Sequence, residues 1–282
     1  MYSGIPFPDL DPIIFQINFS HFVFALRWYS LAYIFGLLIA WWLVRQMSEF
    51  SKSTFTVLKV DDFLFYALLG IVLGGRLGYV LFYSPLYFFE NPVEIIKVWN
   101  GGMSFHGGLL GMIIATIVFC RVKKLNLYMV SDMLCAVAPV GLFLGRLANF
   151  VNGELYGRIT HSVPWAIIFP MGGPEPRHPS QLYEALWEGL IMFIILNCVW
   201  WKSEKYRNRY GFTAGLFFCL YGIGRFFLEM VREPDAHLGF FVNYFTMGQI
   251  LCIPMIILGA WLIHQSSPAI QFKKMVKENY DI

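Results

Sequence analysis

Seven apolar runs, each close to the ~20 residues a bilayer core demands of a helix, leave this chain few folds to choose from. They fall at about 21–44, 62–83, 103–120, 128–150, 180–201, 212–231 and 244–264. Hydrophobic residues make up 57% of the 282 and charged residues 14%, so most of the chain needs a non-aqueous solvent. The expected fold is an all-α polytopic membrane protein, one integral-membrane domain over residues 1–282 with seven transmembrane helices. A net charge of +3, dispersed along the chain, excludes a nucleic-acid-binding role. No Lys or Arg occurs in the first 20 residues, so the first run lacks the basic flank of a cleaved leader and is read as a retained span.

The basic residues set the orientation. Arg45, Lys52, Lys59, Arg121, Lys123, Lys124, Lys202, Lys205, Arg207, Arg209, Lys273, Lys274 and Lys277 lie in the loops after spans 1, 3 and 5 and in the tail. The opposite loops carry only Lys97, Arg158, Arg177 and Arg232. The positive-inside rule then puts the N-terminus outside and the C-terminus inside. Two outer segments exceed simple turns. Residues 85–100 (PLYFFENPVEIIKVWN) suit an amphipathic arm along the membrane surface. Residues 151–178, punctuated by Gly and Pro around the apolar run 163–169, suit a small head with strands. Gly70, Gly74 and Gly78, then Gly107 and Gly111, then Gly141 and Gly145 line helix faces, where close backbone packing is expected. Cys120, Cys135, Cys198, Cys219 and Cys252 form no paired motif and read as small buried hydrophobes, with no metal site.

Four arginines remain inside the spans: Arg27, Arg76, Arg146 and Arg225. A cation there costs at least ~2.5 kcal/mol, so it faces a cavity or a partner. Arg146 and Asn149 share a face one turn before the fourth span ends, and a carboxylate, Glu154, follows. A guanidinium fork and an amide at that depth suit a phosphate headgroup. Gln181, Glu184 and Glu188 share a face of span 5, and Tyr221, Arg225, Glu229 and Arg232 form a stripe on span 6, where Glu229 neutralises one arginine. Arg27 and Tyr29 lie near the outer end of span 1. His106, between two glycine pairs, is placed to move a proton near neutral pH. Asp132 alone lies at the inner end, within expected reach of water. Polarity gathered towards one leaflet fits a cavity open to the outer side better than a through-channel.

Four blocks in order, GGMSFHGG at 101–108, GRLANFVNGELYG at 145–157, RHPSQLYE at 177–184 and GRFFLEMVREPD at 224–235, resemble the phosphatidylglycerol–prolipoprotein diacylglyceryl transferases. The resemblance covers nearly the whole chain, with Cys252 a small departure where serine is more usual. It implies a multi-pass protein of the bacterial inner membrane, with seven spans, an outer head, surface arms and an active site towards the periplasm. It implies transfer of the diacylglyceryl group of phosphatidylglycerol to the lipobox cysteine of a prolipoprotein signal peptide. The products would be a thioether and glycerol 1-phosphate, with no cofactor or metal. Functional weight then falls on Tyr29, His106, Arg146, Asn149, Glu154, Gly157, Tyr221 and Arg225. In this scheme Arg146 and Asn149 hold the headgroup with Tyr29, Glu154 and Gly157 around it. Glu154 is expected beside Arg146 or Arg158, orienting a guanidinium, and Gly157 allows the turn. Arg225, oriented by Tyr221, stabilises the departing phosphate, and His106 takes the thiol proton. Glu229, Arg232, Gln181 and Glu184 support them.

Two other classes compete. A secondary transporter for an anionic solute would also use buried arginines, but it usually shows internal repeats and midplane polarity. A scaffold would not need four arginines within apolar spans.

Overall fold

The computed structural model describes residues 4–18, 23–234, 240–241 and 245–266. Lys273, Lys274 and Lys277, the first two residues of the first expected span, the first residue of the last and Asp235 lie outside them. Among the described residues, six helices are long and apolar enough to cross a membrane. They are α1 (Trp28–Ser51), α2 (Val57–Phe82), α4 (Phe105–Val122), α5 (Leu127–Val151), α6 (Ser180–Lys202) and α8 (Met247–Gln265). The apolar helix α7 (Phe212–Leu228) is shorter at 17 residues, the lower limit for a span. The chain is thus an all-α polytopic membrane protein, and large side chains such as Phe65, Leu77 and Ile257 lie outward on its helices.

The chain forms two compact units, Leu43–Val130 and residues Met1–Trp42 with Ser131–Ile282. In the first, α2 and α4 pack through their glycines: a Cβ on Gly111 would overlap the Gly70 carbonyl, and one on Gly107 that of Gly74. Only a helix face without side chains lets backbones meet so closely. Phe55, Phe63, Tyr66 and Phe119 close one end, with ring centroids 5.1–6.1 Å apart. Salt bridges Arg45–Asp61 and Lys123–Asp62 flank it. After α2, the expected arm folds as the short helix α3 (Pro85–Glu90) and two 3-10 turns, Pro92–Ile96 and Val98–Asn100. Leu86, Phe89, Ile96 and Trp99 project from it, each at least 70% exposed.

Arg76 meets its partners in the backbone. Its guanidinium donates to the carbonyls of Glu94, Ile95, Lys97, Gly101 and Gly102, and the ring of Phe88 lies 5.1 Å from it. Five backbone acceptors satisfy the fork, so Arg76 clasps the arm and the Gly101–Gly102 turn.

In the second unit, the first span starts later than expected. Residues 23–27 form β3 (Val23–Arg27), antiparallel to β2 (Ile13–Asn18), and helix begins only at Trp28. The run Val23, Phe24, Ala25, Leu26 is apolar without helical spacing cues, which is why strand and helix look alike there. Arg27 ends the strand, exposed. The head contains one short strand, β4 (Ile167–Ile168), and its partner comes from the N-terminal segment: β1 (Ile5–Pro6) pairs with it in parallel. Phe7, Phe150, Phe169 and Tyr156 pack beneath this pair. Gly141 and Gly145 have open space where a Cβ would project, so α5 does not use them for close packing, except that Gly36 approaches Gly141. Cys120 and Cys252 are buried as expected, but Cys198 is exposed on α6.

Asp132 also departs from expectation. Only 3% exposed, it is shut away from water and accepts the backbone N–H groups of Gly211 and Ala214, both at 2.7 Å. Those are unsatisfied donors at the start of α7, so an aspartate on α5 caps a helix far along the chain.

Candidate active site

Three helices of the second unit bring the charged residues together. Gly224 has no room for a Cβ, because the Trp187 indole occupies that space while its N–H donates to the Leu220 carbonyl. Gly189 meets Phe143 in the same way. These two glycines bring α6 against α7 and α5. Within α6, residues Ala185–Ile191 adopt the wider π turn, a feature common at functional sites.

The result is a buried network of three arginines and three glutamates. Glu184 lies 3.0 Å from Arg146, 2.5 Å from Arg225 and 3.0 Å from Arg232. Glu188 takes Nε and Nη2 of Arg146 at 3.2 and 3.1 Å and faces Arg225 at 3.8 Å. Glu229 pairs with Arg225 at 2.7 Å. Glu184 and Glu188 are wholly buried, while the side chains of Arg146 and Arg225 retain 16% and 14% exposure. In a poorly solvated place each charge requires its partner, since an unpaired ion there costs several kcal/mol. Arg146 and Arg225 therefore converge on one pair of carboxylates. Tyr221 stands in the electrostatic field of both arginines and both glutamates, yet its hydroxyl makes no hydrogen bond among the described residues. Arg225 is oriented by carboxylates, not by Tyr221 as expected.

A second group adjoins the first. Asn149, on α5, donates to the Glu154 carboxylate at 2.9 Å, and Asn152 does so at 3.0 Å. Among the described residues Glu154 is held by these amides, so the expected guanidinium partner is replaced by two neutral donors. Arg158 instead reaches the carbonyls of Arg232 and Glu229 at 2.9 and 3.2 Å. Gln181, wholly buried, donates to the Glu154 carbonyl, and Ser180 to that of Leu155. The turn uses positive φ at Gly153 and Leu155. Gly157 does not supply it. Its backbone is pressed between His178 and Val231, where a Cβ would collide with both. Tyr29, in the first turn of α1, shares a hydroxyl contact of 3.2 Å with Tyr33 and lies in the field of Glu154 and Arg146. Burial holds the His178 imidazole below its ordinary value, 3.3 Å from the Tyr183 hydroxyl.

His106 belongs to the other unit. It lies exposed in the first turn of α4, beside Phe105, with the helix capped by Ser104 accepting from Gly107 at 3.2 Å. The sequence grouped Gln181 with Glu184 and Glu188 on one helix face and Arg225 with Glu229 and Arg232 on another; the structure brings Arg146, Glu184, Glu188, Arg225, Glu229 and Arg232 together. Glu188 had no expected role, although the four-residue step from Glu184 was its signal.

A family profile described as "Prolipoprotein diacylglyceryl transferase" matches residues 12–265. Three relatives carry the name phosphatidylglycerol–prolipoprotein diacylglyceryl transferase. That of Paramagnetospirillum magneticum is 50% identical over 95% of this chain and 100% of its own length. That of Rhodospirillum rubrum is 52% identical over 92% and 93%, and that of Rickettsia felis 49% over 93% and 99%. With the family profile spanning nearly every described helix and half of all aligned residues shared, this chain belongs to the prolipoprotein diacylglyceryl transferase family.

Proposed function

We propose that this protein transfers the diacylglyceryl group of phosphatidylglycerol to the lipobox cysteine of a prolipoprotein, forming a thioether and releasing glycerol 1-phosphate. Membership of the family supports the reaction, and one observation supports the place: Arg146 and Arg225, from different helices, converge on the same buried carboxylates. A transporter or scaffold loses its ground with that membership. The protein sits in the bacterial inner membrane with its N-terminus and head on the periplasmic side, where a secreted cysteine and a lipid headgroup meet.

The chemistry breaks a carbon–oxygen bond and needs a thiolate and a stabilised phosphate. The Arg146 fork, with Asn149 beside it, binds the headgroup bidentately. Arg225 faces the phosphate oxygen on which charge grows, and Glu184 and Glu229 hold its guanidinium in place beforehand, so little reorganisation accompanies the reaction. Tyr29, Glu154, Gln181 and Gly157 shape the wall around Asn149, and Arg232 anchors Glu184. His106 takes the thiol proton, since the thiolate and not the thiol is the attacking species.

Purified protein in detergent, given phosphatidylglycerol and a lipobox peptide, should yield peptide thioether and glycerol 1-phosphate in equal amounts. Peptide left unmodified while the lipid is bound would overturn the reaction. His106→Gln should lower the rate at pH 7 by at least ~100-fold, the usual scale of a general base. Near-normal transfer by that variant removes the residue from the thiol step.

A further inference from the structure

The network of Arg146, Arg225, Arg232, Glu184, Glu188 and Glu229 is neutral when all six are charged. A phosphodiester headgroup adds one more negative charge, beside side chains that are at most 16% exposed. The arginines have no spare counter-charge: each faces a carboxylate at 3.1 Å or less. Either a glutamate leaves for water or one loses its charge. Glu188 is wholly buried on the π segment, one residue before Gly189, which is packed against Phe143, so leaving would mean unpacking α6 from α5.

The three glutamates are not equally held. Glu184 has three guanidinium groups within 3.0 Å. Glu229 has Arg225 at 2.7 Å. Glu188 has one close arginine, on Oε2. Its Oε1 is buried without a hydrogen-bond partner, as are Glu184 Oε2 and Glu229 Oε2, but those two lie 3.0 and 2.7 Å from a guanidinium whereas Arg225 stands 3.8 Å from Glu188 Oε1. Other groups facing it are Glu184 on its own helix, Arg146 from α5 and Tyr221 from α7. The Cys252 thiol of α8 lies in the field of Glu188, Arg225 and Glu229. An oxygen without a donor is where a proton can be added without breaking a bond. Once protonated, Glu188 no longer neutralises Arg146, which is freed to pair with the ligand anion.

We propose that Glu188 takes up a proton from water as the site takes up its phosphate-bearing ligand, so that headgroup and proton enter together. The carboxylate becomes a neutral carboxylic acid, and release of the ligand returns the proton. This rests on the assignment of Arg146 and Arg225 to the headgroup. Because the complex holds more protons than the free protein, affinity falls as pH rises.

Calorimetric titration of the full chain in detergent with a short-chain phosphatidylglycerol, in two buffers of different protonation enthalpy, measures the exchange. About one proton should be taken up per lipid, with affinity falling about tenfold per pH unit where Glu188 is charged in the free protein. Glu188→Gln should abolish the uptake and flatten the profile, whereas Glu229→Gln should keep both. Difference infrared spectra of the unmutated protein give a readout independent of how a variant folds, since binding should raise a protonated-carboxyl C=O band. Lipid binding without proton exchange, or uptake unchanged in Glu188→Gln, would overturn the inference alone. Absence of phosphatidylglycerol binding at any pH would remove the headgroup assignment and the inference with it.

Discussion

Glu184 carries more of the buried charge balance than any other residue, because one carboxylate serves Arg146, Arg225 and Arg232. Its removal leaves three cations to share two acids in a place water does not reach. Glu184→Ala should therefore lower stability by about 3–5 kcal/mol, seen as a fall in the unfolding temperature in detergent. A value near zero would mean that water enters the network. Arg146→Lys keeps the charge and loses the planar fork that takes Glu188 through both Nε and Nη2. Phosphatidylglycerol affinity should drop in that variant, and full affinity in Arg146→Ala would remove the residue from the headgroup site. The identity of these residues was legible in the sequence through helical spacing. Their mutual pairing was not, because spacing fixes a face of one helix and says nothing about which face it meets. Glu154 shows the limit: a carboxylate near Arg146 in the chain found two amides in space.

The helices are positioned by contacts that leave little trace in local sequence. Asp132 looked like an interfacial acid, yet it ties α5 to the first turn of α7, the helix that carries Tyr221 and Arg225. Asp132→Ala leaves two buried N–H groups bare at about 1–3 kcal/mol each, and the loss should appear as lowered stability together with faster amide exchange at the start of α7. Asp132→Asn, which retains one acceptor, should lie between. Small residues were easier to read. The glycines of α2 and α4 have helical spacing and meet as expected, whereas Gly141 and Gly145, spaced alike, border open space. The same pattern has two outcomes because a missing side chain permits an approach without compelling it. Gly224 was legible only as part of a motif; the Trp187 indole pressed upon it gives the reason.

At the scale of the molecule, hydropathy marks the apolar helices because a helix satisfies its own backbone groups in lipid. It missed the β2–β3 hairpin and the N-terminal contribution to the head, since two short apolar strands and a pair five residues from the start have no periodic signature. The orientation proposed from loop charge is open to a direct check. In a cysteine-free background, a cysteine at Gly173 should react with a membrane-impermeant thiol reagent in cells whose periplasm is accessible, and one at Lys124 only after the inner membrane is permeabilised. The reverse pattern would invert the molecule.

Arg76 carries one last consequence. Five carbonyls between residues 94 and 102 accept from one guanidinium, so loss of that one side chain removes all five bonds together. Such a segment behaves as a rigid ledge fastened by a single rivet. Exchanging that arginine for methionine should turn a crisp proteolytic fragment pattern into rapid cleavage between α3 and α4.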